Sequence, residues 1–132
     1  MSLKEQLNGL QHIGVPTKNI EETIEFYGKL GFEIAFQTVD DDGKVAFLKL
    51  GNLVIETYEN EDATMKSGAV DHIALDVKDI EKVYELINQE GLNTTQDTVH
   101  FLSFWENGVK FFTIEGPNKE KVEFSQIGRA HV

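Results

Sequence analysis

The sequence predicts an α+β fold built from two copies of a βαβββ module. Two observations carry this: a gapless internal repeat, and the same succession of strand, helix and turn signals in each copy. Shifting the chain on itself by 60 places sets His12-Ile13-Gly14-Val15 on His72-Ile73-Ala74-Leu75. The same shift sets Asn19-Ile20-Glu21 on Asp79-Ile80-Glu81, Glu25 on Glu85 and Gly31 on Gly91.

Each copy opens on a short β-rich run, 10–15 in the first and 70–77 in the second. Asn19 and Asp79 then have the short polar side chains that cap helix N-termini. Behind them, Ile20, Ile24 and Tyr27, and likewise Ile80, Val83 and Ile87, recur at the spacing of one helix face. Gly31 and Gly91 sit where a helix ends in a left-handed residue. Three strands are expected after each helix: 32–39, 44–50 and 53–58, then 92–98, 109–114 and 121–126. Asp42-Gly43 and Gly51-Asn52 supply tight turns in the first copy; Glu106-Asn107-Gly108 and Gly116-Pro117-Asn118 serve the second. Module one is thus 9–58, a polar linker follows at 59–69, and module two is 70–126, all within a single domain over 1–132. One module is too small to cover both helix and sheet, so the two are expected to pair.

Composition narrows the function. The chain has 132 residues, 12 basic against 23 acidic, and a net charge of −11. Such a balance excludes nucleic acid, whose binding needs an excess of Lys and Arg, and it disfavours an anionic membrane face. There is no cysteine, hence no disulfide, thiolate metal site or cysteine nucleophile. No apolar run reaches the ~20 residues of a membrane span, and no signal-peptide core stands at the N-terminus. A soluble, cytoplasmic protein is expected. Arg129, the single arginine, lies in 127–132, which breaks the preceding strand pattern and reads as a non-native tail.

Strand alternation gives His12 the face of Leu10 and Gly14, and His72 the face of Val70 and Ala74. A lone strand histidine is usually a satisfied polar residue. Two at equivalent repeat positions point instead to a shared site. Glu56 shares its face with Val54 and Tyr58, where a carboxylate is costly unless paired or bound to a cation. Glu123 lies opposite the apolar Val122 and Phe124.

With His12, Glu56, His72 and Glu123 on its first and last strands, the repeat resembles the vicinal oxygen chelate superfamily. Glyoxalase I, methylmalonyl-CoA epimerase, extradiol dioxygenases and the fosfomycin and bleomycin resistance proteins belong to it. The segment 20–27 resembles the family's first helix, and Gly116-Pro117-Asn118 precedes Val122-Glu123-Phe124 as in that family. The resemblance implies a curled mixed sheet around a metal-binding cleft, with His12, Glu56, His72 and Glu123 as metal ligands. Two imidazoles and two carboxylates suit Ni, Zn, Co, Mn or Fe(II).

The full His–Glu–His–Glu set is most similar to glyoxalase I, since dioxygenases and fosfomycin enzymes lack the carboxylate at Glu56. The resemblance thus implies a metal-dependent lyase or isomerase that moves a proton through a metal-stabilised enediolate. Glu123 is the expected base, and Glu56 a ligand and second base. The substrate is a small molecule, a hemithioacetal or other thiol conjugate. Without a native arginine fork, a strongly anionic thiol is disfavoured. Phe104 and Trp105 are the expected cleft-wall aromatics. A drug- or metabolite-binding protein and an Fe(II) extradiol-type dioxygenase are the alternatives. Two modules per chain can pair within it or exchange between chains, and a homodimer is expected.

Overall fold

The structure, a computed structural model, describes residues 2–40, 43–117 and 120–129. The chain divides into two compact units, 12–72 and 1–11 with 73–132.

The unit 12–72 takes most of strand β1 (Leu7–Thr17), helix α2 (Ile20–Lys29), and strands β2 (Glu33–Asp40), β3 (Gly43–Leu50) and β4 (Leu53–Glu59). Its strands lie in the order β2-β3-β4-β1, antiparallel except for the parallel β1–β4 pair. The helix starts as its sequence dictates, with the Asn19 side chain accepting from the Glu22 N–H. It stops at Gly31, where φ is +105° and the Phe32 N–H reaches back to the Tyr27 carbonyl. Ile20, Ile24 and Tyr27 pack with Phe32, Ala46 and Leu48, as their spacing predicts. Leu50 pairs with Leu53 around Gly51, whose φ of +59° suits a two-residue hairpin. Of the other predicted turn, Asp42-Gly43, Asp42 lies outside the described residues, as does Asn118 of Gly116-Pro117-Asn118. No helix or strand forms between β4 and the next strand.

The second unit holds α1 (Leu3–Gln6), the start of β1, β5 (His72–Val77, from Ile73 on), α3 (Ile80–Gln89), β6 (His100–Leu102), β7 (Val109–Glu115) and β8 (Lys121–Ile127). Its strands run β5-β8-β7-β6. Ile80, Val83 and Ile87 of α3 are buried with Val77, Phe112 and Phe124, and Leu3 and Leu7 pack against them.

Two expectations need correction here. Residues 92–98 form no strand; the second strand of the module is instead β6, three residues long. The Asn93 side chain accepts from the Asp97 N–H and donates to the Asp97 carbonyl, while Gln96 takes a φ of +58°. These side-chain bonds close a turn and remove the backbone groups that a sheet ladder would need. The second correction concerns Ile127, which does continue β8: it pairs with Val109, and the Gly128 N–H bonds the Gly108 carbonyl. Residues 130–132 lie outside the described residues.

Candidate metal centre

In the unit 12–72, strand register sets one row across four strands: Gly14 of β1, Glu56 of β4, Phe47 of β3 and Phe36 of β2. Residues opposite one another in a ladder point to the same face. Ala35 is the extra residue between the Ile34–Leu48 and Phe36–Phe47 pairs, so a bulge turns Phe36 into the row. His12, two residues before Gly14, shares that face. Its ring meets Phe47 edge-on at 5.5 Å between centroids.

Three donor atoms converge there. His12 Nε2 and His72 Nε2 are 3.1 Å apart, and Glu56 Oε1 is 3.3 Å from each. All three side chains are nearly closed to solvent, at 5%, 9% and 14% exposure for His12, His72 and Glu56. The His72 ring lies against Gly14, in space that a side chain at that position would fill. The small residue noted beside His12 thus makes room for the second histidine itself. Burial alone would push the Glu56 carboxyl up, but its contacts to His12 and then His72 outweigh this and hold it down at about 2. It is an anion at any ordinary pH.

The triangle fits a metal ion. Two ligand bonds of about 2.1 Å meeting at roughly 90–109° separate their donor atoms by about 3.0–3.4 Å. All three observed separations fall in that range. Nitrogen and carboxylate oxygen donors suit a divalent transition ion.

The second unit carries the other predicted residues. Glu123 stands on β8 opposite Thr113 and is half-buried, with Phe124 beside it turned into the helix-packed core. Phe104 is buried; Trp105, half-buried at a φ of +60°, lies between β6 and β7. His100 is largely exposed and bonds Asp97.

Sequence reasoning missed several participants around His72. Asp71 Oδ2 accepts from the His72 Nδ1 side at 2.9 Å and from the Tyr58 hydroxyl at 2.9 Å. Phe36 and Phe47 form the apolar side of the histidine–glutamate row within this unit.

The model of the Glyoxalase/Bleomycin resistance protein/Dioxygenase superfamily matches residues 9–124. The chain belongs to this superfamily. It is 27% identical over 124 residues to the uncharacterized protein YwbC of Bacillus subtilis, covering 89% of this chain and 96% of that one. Among solved structures it is similar to hypothetical protein BH1468 from Bacillus halodurans, with a TM-score of 0.68 at 23% identity over 93% of this chain and 96% of the other. A superfamily member from Vibrio splendidus gives a TM-score of 0.63 at 20% identity, over 89% and 99% of the two chains. The α+β superfamily fold expected from the sequence is therefore the fold found, and a candidate site for a metal ion accompanies it. Among the described residues, no helix is long and apolar enough to cross a membrane.

Proposed function

We propose that this superfamily member is a metal-dependent lyase or isomerase of the glyoxalase I type, acting on a hemithioacetal or a related small carbonyl compound. The observation that carries the reading is the Glu56 carboxylate, held 3.3 Å from both imidazoles. It occupies the place where the resemblance to dioxygenases fails. In this reading His12, His72, Glu56 and Glu123 are the donors. A divalent ion bound there would act as a Lewis acid, polarising a carbonyl oxygen and acidifying the adjacent C–H.

The chain's own groups divide the remaining work. Glu56 serves as a ligand that brings a negative charge and as the second base. Glu123 is then the base that takes the substrate proton and returns it to the neighbouring carbon. Phe47 and Phe36 offer an apolar wall to a substrate side chain, and Phe104 and Trp105 are assigned to the same role. A homodimer belongs to this reading.

The test uses protein purified without a nickel column, stripped of metal, and reloaded with Ni, Zn, Co, Mn or Fe(II). Methylglyoxal is supplied with a panel of thiols, and light scattering reads the subunit count. Isomerisation with at least one thiol is expected, falling about 10²–10⁴-fold in Glu123→Gln. Failure to bind any metal would sink the reading. So would tight ligand binding without turnover and insensitive to Glu123→Gln, which marks a sequestering protein, or oxygen consumption with a catechol, which marks a dioxygenase.

A further inference from the structure

We propose that Tyr58 and Asp71 form a positioning relay that fixes the His72 ring with its proton on Nδ1, so that Nε2 presents a lone pair to the site. The relay rests on the metal reading above, because it matters where His72 Nε2 is a ligand atom. It involves none of the donor residues except His72.

A single oxygen carries the argument. Asp71 Oδ2 lies 2.9 Å from His72 Nδ1 and 2.9 Å from the Tyr58 hydroxyl. Two carboxylates face this ring, Asp71 at Nδ1 and Glu56 Oε1 3.3 Å from Nε2, and a neutral imidazole has one N–H to give; the shorter contact, to Asp71, takes it. In the neutral ring that leaves Nε2 unprotonated. His12 Nε2, 3.1 Å from His72 Nε2, then donates the proton shared across the metal-free pair. The Tyr58 hydroxyl stops Asp71 from rotating its oxygen away. The Asp71 N–H, bonded to the Gly14 carbonyl at 2.7 Å, fixes the backbone from which the carboxylate extends. Gly14 closes the other side of the ring. His72 is therefore held on both flanks before any ligand arrives.

The two modules differ at the residue before the histidine. The position equivalent to Asp71 in the first module is Gln11. Its amide donates instead to Asp76 Oδ1 at 2.8 Å and to the Ser125 carbonyl at 3.0 Å. The repeat thus sets an amide before the first histidine and a carboxylate before the second. Carboxylate partners of this kind orient metal-bound imidazoles and raise their donor strength.

The experiment reads the tautomer and the affinity separately. Ring-nitrogen NMR is recorded on metal-free wild type, Asp71→Asn, Tyr58→Phe and Asp62→Asn, and calorimetry then follows Zn²⁺ binding. The wild type should show His72 protonated at Nδ1. Asp71→Asn should move part of the population to the Nε2 proton and weaken Zn²⁺ binding about 10–100-fold. Tyr58→Phe should act in the same direction with a smaller shift. Asp62→Asn removes the same charge from an exposed site and should change neither readout. An Nε2-protonated His72 in the wild type overturns the relay, as does Asp71→Asn with unchanged tautomer and affinity. If Asp71→Asn fails to fold, an unchanged Tyr58→Phe overturns it instead. A wild type that takes up no zinc overturns the metal reading alone, because the tautomer is read without metal.

Discussion

A methyl group at residue 14 would fall on the His72 ring, against Cε1, Nδ1 and Nε2. The backbone of β1 cannot retreat, because residues 13–17 are paired with β4. The ring must therefore move, and the contacts to Glu56 and Asp71 move with it. Gly14→Ala should cost about 1–3 kcal/mol, the usual range for overpacking a filled site. Chemical denaturation measures that loss, and the His72 ring signals should report its displacement; a variant as stable as wild type with unmoved signals refutes the packing argument. At this scale the site is partly legible. The 60-residue repeat exposes His12 and His72, and Glu56 stands out as a carboxylate among Val54 and Tyr58. Asp71 is not legible: alternation within the expected strand 70–77 turns it to the face opposite His72, whereas β5 begins only at His72. Phe36 and Phe47 join the row only through the register and the bulge at Ala35, and neither can be read from one strand alone.

Helices α2 and α3 follow their sequences closely, because cap, apolar face and terminal glycine all act within one short stretch, 19–31 and 79–91. The turn that replaces the expected strand over 92–98 follows a different logic. It depends on Asp97, whose carboxylate accepts from the Thr113 N–H at 2.8 Å and faces His100 Nε2 at 2.7 Å. Those partners lie beyond the segment, so local β-propensity gives the wrong answer. Burial pushes the Asp97 carboxyl up, but the bonds to His100 and to backbone N–H groups prevail and lower it. A lowered value in the folded chain means that the unfolded chain binds the proton more tightly. The stabilisation from Asp97 is thus fully present above the ordinary aspartate value of about 3.9 and is lost as pH falls below it. In urea titrations, Asp97→Asn should be less stable than wild type at pH 6, and the gap should narrow towards pH 3. A gap independent of pH would show that the carboxylate's charge plays no part.

The compact unit 12–72 begins and ends on the two histidines, so an ion held between them would join the two ends of that unit. Ordinary folded contacts already bring these ends together, with the Asp71 N–H on the Gly14 carbonyl. An ion would tighten the same closure, and the unfolded chain, with His12 and His72 far apart, offers it no comparable site. Binding to the folded state alone adds RT ln(1 + [L]/Kd), about 2.7 kcal/mol when free ion stands at 100 times Kd. Thermal unfolding of the metal-stripped protein should therefore shift upward by several degrees on adding the ion, and return with a chelator. His72→Ala should abolish the shift, since it removes one end of the closure. His100→Ala should keep it, because that ring pairs with Asp97 on an exposed turn. A shift that survives His72→Ala would place the stabilising ion elsewhere on this acidic chain, whose net charge of −11 favours weak cation binding. The chelator-reversible shift, read against these two histidine variants, separates a clip across residues 12 and 72 from general cation binding.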